Sequence, residues 1–372
     1  MKILQVLLSP RIGGAEALVD ALSLAWVDYG AECRVHYLDP PNDGPRSRHA
    51  RISLLSRAIR AWEPDIIVSH SALPNTYARL AARGSTPVIT VLHSATDDFA
   101  DRSLRWAERV LRPVTAKVVA VSQSQADEYS ARFGRRVPVH VIPNGIRRDA
   151  QAKTKYQDRP KIASTVARVA AQKNPYLWSE VARILGTTGP ELDLHWWGPS
   201  SVDVASEDVF GTDKLAGSRG RYLGPTQDPI SVLASSDLLF HTADREAHSI
   251  GILEAAAVGL PVVCSASVAK TLPEEVVVVP FNDGDADSAV AALQSVVDTW
   301  PSMAKRAMDA SPLVRERFSI DHCARTYVSL FTDLATTTRG ERLFQSLAAW
   351  APDAFSSTLG VVRERNKRAT GR

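Results

Sequence analysis

The feature that most constrains this chain is an alternation. Short, nearly all-apolar runs of β-forming residues are separated by longer stretches of helical periodicity. In the first half the runs are Ile3–Leu8, Cys33–Leu38, Asp65–Ser69, Val88–Leu92, Lys117–Ser122 and Val139–Ile142, with a helix expected from about Ala15 to Trp26. Alternation of this kind predicts parallel sheets built from βαβ units, and strands without polar positions predict burial on both faces. A polar stretch, Arg147 to Pro160 (RRDAQAKTKYQDRP), breaks the pattern and reads as a domain linker. The alternation restarts with Ile162–Val166, Leu192–Trp197, Leu238–His241, Val262–Ser265 and Val276–Val279. The expectation is an α/β chain of two doubly wound halves with a ligand cleft at the carboxyl ends of their strands. A length of 372 residues suffices for two such cores.

Composition narrows the function classes. With 45% apolar and 23% charged residues, the chain reads as a soluble globular enzyme. Ile3–Leu8 is too short for a signal-peptide core and runs straight into Ser9-Pro10, and no apolar run is long enough to span a bilayer. A cytoplasmic location is expected. Cys33, Cys264 and Cys323 are scattered, which excludes a disulfide framework or a paired-cysteine metal site. A net charge of +3 is too weak a bias to argue nucleic-acid binding for the whole chain, and no nucleic-acid partner is expected. The acidic run Asp283, Asp285 and Asp287 opens a helical pattern, where capping favours aspartate, and Asp97-Asp98 lacks a third ligand. No metal and no resident cofactor are expected.

The most informative segment is Asp237 to Cys264, DLLFHTADREAHSIGILEAAAVGLPVVC, which reads as strand, loop, helix, stop and strand. Ser249 is placed to cap a helix beginning at Ile250-Gly251, and Gly259 with Pro261 ends it. A helix starting just after a strand aims unpaired N–H groups and its positive dipole end into the cleft, which suits a diphosphate. Glu246 precedes this helix and Glu254 lies within it. A carboxylate accepts several hydrogen bonds from hydroxyls, so the pair suits a sugar ring at one end and a ribose at the other.

This segment resembles the glutamate–seven residues–glutamate motif of glycosyltransferase family 4, the retaining nucleotide-sugar-dependent enzymes of the GT-B fold. The trailing LEAAAVGLPVV is also similar to the family. The resemblance implies two Rossmann-like domains facing each other across a cleft, Glu246 on the transferred sugar, and Glu254 on the ribose. One departure stands out. Where the family usually has Gly-Phe-Gly after the first glutamate, this chain has Ala247-His248-Ser249. The donor contacts expected at the helix start are His248, Ser249, Ile250 and Gly251.

Other positions match in order. Arg168 and Lys173, in VARVAAQKNP, resemble the family's cation pair, and two cations there can clamp the diphosphate and stabilise the departing nucleotide. Gly13, Gly14 and Glu16, in SPRIGGAEALV, resemble the family's Gly-Gly-x-Glu loop; paired glycines allow close backbone approach. His93, ending the run VITVLH, matches a histidine that faces the transferred sugar. Asn144-Gly145 resembles a Pro-Asn-Gly turn, although Arg147-Arg148 replaces the acidic residue expected next. Gly198, and Gly224-Pro225 after a short strand, resemble the region that receives the nucleotide base.

The resemblance divides the chain into residues 1–150 as the acceptor-side domain and 151–315 as the nucleotide-sugar domain. Residues 316–335 form a helix crossing back, and 336–372 an extension carrying Leu343, Phe344, Leu347 and Trp350 at helical spacing. The expected function is retaining transfer of a hexose-type sugar from a UDP- or GDP-sugar to an acceptor hydroxyl, lipid-linked or polysaccharide, in envelope glycan assembly. Two arginine runs with interleaved apolar residues (Arg46, Arg48, Arg51, Arg57, Arg60; and Arg102, Arg105, Arg109, Arg112) read either as solvated helices or as a peripheral contact with the inner face of the membrane. The alternatives are a natural-product or small-molecule glycosyltransferase, an epimerase or phosphorylase of the same fold, and a non-catalytic nucleotide-sugar-binding subunit.

Overall fold

The structure, a computed structural model, describes residues 1–10, 13–39, 44–93, 98–135, 137–201 and 203–335. Asp97 and the 336–372 extension lie outside the described residues. Two six-stranded sheets form the frame. The first holds β1 (Lys2–Leu7), β2 (Glu32–Tyr37), β3 (Ile66–His70), β4 (Val88–Leu92), β5 (Lys117–Ala120) and β6 (Val139–Val141), ordered β2-β1-β3-β4-β5-β6. The second holds β7 (Ile162–Val166), β8 (Asp193–Trp197), β9 (Gly220–Gly224), β10 (Leu238–His241), β11 (Val262–Ser265) and β12 (Val278–Phe281), ordered β12-β11-β10-β7-β8-β9.

Every pairing within the two sheets is parallel. β3 and β4 are buried along their whole length because helices cover both faces, which is why their sequences carry no alternation. One expected strand is displaced: Val276 belongs to a turn, its N–H donating to Pro273 O, and pairing begins only at Val278.

Strand order reverses between β1 and β3 in the first sheet and between β7 and β10 in the second. At each reversal the following loops leave in opposite directions, opening a crevice at the carboxyl ends. The loops after β1, β3, β7 and β10 therefore border the two crevices.

The first helix, Gly14–Val27, buries Leu18, Val19, Leu22, Ala25 and Trp26, a stripe at helical spacing. The last described helix, Ile320–Ala335, packs on it: Trp26 meets Tyr327 and Phe331 edge to face at 5.6 and 5.2 Å and donates its indole N–H to Ala324 O. Just before that helix, Ile146 exchanges backbone hydrogen bonds with Phe318 and Ile320. The stretch 147–160 is not a loose tether. Lys153 N–H reaches Val258 O, and Tyr156 packs edge to face on Trp300, whose indole donates to Gln157 O.

The arginine runs divide. The Arg48–Trp62 helix buries Leu55, Ile59 and Trp62, and Arg51 forms a two-pronged pair with Asp39 at 2.9 and 2.7 Å. Arg112 is buried and donates to the carbonyls of Gly134 and Val137. On the Arg102–Leu111 helix, Arg102, Trp106 and Arg109 remain exposed. Among the described residues, no helix is long and apolar enough to cross a membrane.

Candidate active site

The loops after β7 and β10 are stitched into one unit. Thr242 Oγ1 donates to Lys173 O, Asn174 to Asp244, Asp244 N–H to Gln172 O, and the Gln172 amide to Arg245 O. This brings Lys173 onto Glu246 in an ion pair, on the carboxylate oxygen that His241 Nε2 also meets at 2.8 Å. The Glu246 side chain is only 9% exposed. Burial by itself raises its pKa, but the Lys173 charge, reinforced by His241, outweighs that and holds it at about 2. Glu246 is thus a fixed anion with its charge already matched.

The helix Ile250–Val258 starts at Ser249, as the sequence predicts, but the Ser249 side chain makes no capping hydrogen bond. The helix stops at Gly259 with φ +96, a left-handed turn that suits glycine. Its start crosses close over the end of β7: a β-carbon on Gly251 would sit 3.2 Å from Val166 O. Across the crevice, a β-carbon on Gly14 would lie 3.6 Å from Ile250 Cδ1, and one on Gly13 would lie 2.6 Å from a Glu16 oxygen and 3.8 Å from Arg168 Nε. Gly13, Gly14, Glu16, Arg168 and the helix start therefore converge, with the helix dipole and the exposed Arg168 supplying positive potential. That combination can receive a diphosphate.

His93 follows β4, half-buried, and meets the buried His70 edge to edge, with His93 Nε2 2.9 Å from His70 Nδ1 and ring centroids 5.1 Å apart. Burial draws the His93 pKa down to about 4, so the ring is neutral at pH 7.

Asn144 and His248 are brought onto each other. The Asn144 backbone N–H donates to His248 Nδ1 at 3.2 Å and its amide donates to His248 O at 2.8 Å. Burial and the Arg317 charge bring His248 to about 4, consistent with a neutral acceptor. Gly145 allows backbone contact, since a β-carbon there would lie 2.7 Å from Ile320 Cα. Glu254 is buried on its helix, with Arg147 Nε 3.8 Å away. Burial raises its pKa to about 7 against the opposing Arg147 charge.

Gly198 closes the end of β8: its N–H donates to Gly224 O and its carbonyl accepts from the Tyr222 hydroxyl. Gly224 and the exposed Pro225 lie at the end of β9, two strands away from β7. Of the acidic run, Asp285 caps the helix Ala286–Asp298, accepting from Ser288 N–H at 2.9 Å, and Asp283 accepts from Ser267.

Sequence reasoning did not single out His70 or His241. Both are histidines closing a largely apolar strand, at the end where such sheets bind ligands, and that position was the available signal. Arg147 was noted only as a departure, yet it is the cation beside Glu254.

The model for glycosyltransferase family 4 matches residues 12–150, and that for group 1 glycosyl transferases matches residues 146–310. No curated protein matches in sequence. Among solved structures, HepE of Anabaena in complex with UDP and glucose is similar at a TM-score of 0.73 and 17% identity, with 90% of this chain and 100% of that one covered. Sucrose-phosphate synthase of Thermosynechococcus elongatus gives 0.73 at 16% identity, with 91% and 100% covered. The lipopolysaccharide outer core galactosyltransferase WaaB, in its apo form, gives 0.63 at 16%, with 90% and 100% covered.

Proposed function

This chain is a family 4-like glycosyltransferase of the GT-B fold, and from that premise we propose that it transfers a hexose-type sugar from a UDP- or GDP-sugar to an acceptor hydroxyl with retention. The observation that carries the reading is the Lys173–Glu246 pair beside the open helix start, with Arg168 and the glycine loop opposite. A uridine nucleotide is favoured because HepE, a structural neighbour, holds UDP and UDP-glucose.

In the reaction the bond between the anomeric carbon and the β-phosphate oxygen breaks, leaving negative charge on the diphosphate. The helix start and Arg168 receive that charge, and Lys173 joins them by turning from Glu246. Glu246 then accepts hydrogen bonds from sugar hydroxyls. The acceptor oxygen bonds to the anomeric carbon on the same face, and its proton passes to the departing phosphate oxygen. Glu254 and Asn144 shape the nucleotide and acceptor ends, and Gly198, Gly224 and Pro225 the base end. The chain's own residues supply the positive charge, so neither a metal nor a resident cofactor is invoked.

The proposed acceptor is an envelope glycan or its lipid-linked precursor, a reading supported by likeness to a lipopolysaccharide galactosyltransferase and by exposed Arg102, Trp106 and Arg109. Retention of the protein with anionic vesicles at low salt tests the peripheral contact, and a wholly soluble fraction counts against it.

The direct test is release of free nucleotide from UDP-, GDP-, ADP- and TDP-sugars by wild type, Glu246→Ala and Arg168→Ala. Slow hydrolysis of one donor, lost in both variants, supports the site. Binding of none of the four overturns it.

A further inference from the structure

We propose that Gln5 and His70 are positioning residues that lock His93 into the tautomer protonated on Nε2, so that Nδ1 meets the substrate only as a hydrogen-bond acceptor. This deepens the glycosyltransferase reading and rests on it for the identity of the substrate group.

On β1, the fully buried Gln5 amide donates from Nε2 to Val19 O at 3.1 Å and to Ser23 Oγ at 2.5 Å. The Ser23 hydroxyl is itself committed as a donor to Val19 O at 2.8 Å, so its lone pair is what faces Gln5. Turning the amide over would set its oxygen against a carbonyl. The amide orientation is therefore determined by its partners.

Gln5 Oε1 then faces His70 Nε2 at 3.1 Å, and an amide oxygen can only accept. His70 must carry its proton on Nε2. Burial and the adjacent His93 ring draw the His70 pKa well below its ordinary value, so His70 Nδ1 carries none. That lone pair lies 2.9 Å from His93 Nε2, which must supply the proton. His93, also neutral, has no second proton to give. The relay passes from the first helix through β1 and β3 to the end of β4, and its polarity runs one way.

A second observation marks the same place. Ser71, immediately after His70, has φ +74 and ψ 159, a conformation costly for any residue but glycine. Its N–H is held by Val91 O, so β3 and β4 stay clamped while the chain turns away. Strain of this kind persists where the surrounding structure over-determines the geometry.

The consequence is a specificity rule. His93 Nδ1 accepts a hydrogen bond from a substrate hydroxyl and donates none, so the group it reads is an O–H. Replacing that hydroxyl on the donor sugar by fluorine, which cannot donate, lowers kcat/KM by about tenfold, the value of one neutral hydrogen bond.

The test is nitrogen-15 NMR of histidine-labelled protein, which needs no turnover and so stands or falls separately from the assigned activity. The expected result is a proton bonded to His93 Nε2, with a through-hydrogen-bond coupling from His93 Nε2 to His70 Nδ1. Gln5→Leu should abolish the single tautomer on both rings. The proposal is overturned by a proton on His93 Nδ1, by the absence of the coupling, or by a Gln5→Leu protein with unchanged ring signals. The wild-type spectrum decides the tautomer even where Gln5→Leu does not fold.

Discussion

Lys173 holds Glu246 across the carboxyl ends of β7 and β10, two strands adjacent in space and far apart in sequence. The two residues proposed to act on opposite ends of the donor, cation on diphosphate and anion on sugar, thus begin the cycle bound to each other. Neither is left as an uncompensated charge in a partly desolvated site.

Lys173→Met removes the largest opposing charge and lets burial raise the Glu246 pKa from about 2. The expected outcome is turnover lower by about 10²–10³ and an acid limb of the pH–rate profile moved upward. An acid limb that stays put in the variant contradicts this. The pair's own stabilisation is present above the ordinary glutamate pKa of 4.5 and is lost as pH falls through about 2.

Glu254 works with the opposite sign. Its folded pKa of about 7 lies above the ordinary 4.5, so the native state binds more protons between those values and stability falls as pH rises through 7. Glu254→Gln should raise Tm at pH 8 and change it little at pH 5, by about 2–4 °C for each kcal/mol relieved, while weakening donor binding. Thermal melts at the two pH values check it; equal shifts at both would sink the account.

Gly198 has φ +153, and a β-carbon there would lie 1.9 Å from Ala167 O. Gly198→Ala must displace the backbone leading into Arg168. Destabilisation of more than about 3 kcal/mol is expected, together with weaker donor binding. Urea midpoints and donor titration measure the two effects, and a variant with the wild-type midpoint refutes the contact.

His248→Phe introduces the aromatic residue usual in the family, yet it should cost about 1–3 kcal/mol, because the Asn144 N–H loses its acceptor in a buried position. Asn144→Ala should cost about 1 kcal/mol through the lost amide bond to His248 O. Each bond joins one side chain to the other residue's backbone, so unfolding free energies of the two single variants measure the two bonds separately, and a single variant with wild-type stability contradicts its contact.

Much of the frame was legible because it is local. Val88–Leu92 and Val262–Ser265 are strands at the predicted bounds, since a short all-apolar run between helical periods has few other solutions. Gly259 stops its helix where a left-handed residue is required. The spacing of Glu246 and Glu254 was visible from the loop and helix they occupy. Val276 was misplaced because a turn after Pro273 is decided by pairing with β11, which apolar content does not report.

What the sequence by itself determined was the alternation of strand and helix, their stops, and the residue types gathered at the strand ends. Periodicity states which side chains face inward, and it does not state which distant side chain they meet. The relay from Gln5 through His70 to His93, the grip of Asn144 on His248, and the removal of Arg112 from its basic run into carbonyl contacts were decided by tertiary structure. Each depends on strands far apart in the chain becoming neighbours at a reversal of strand order, or on one loop folding back over another. In those places hydrogen-bond satisfaction in a buried setting chooses the partner.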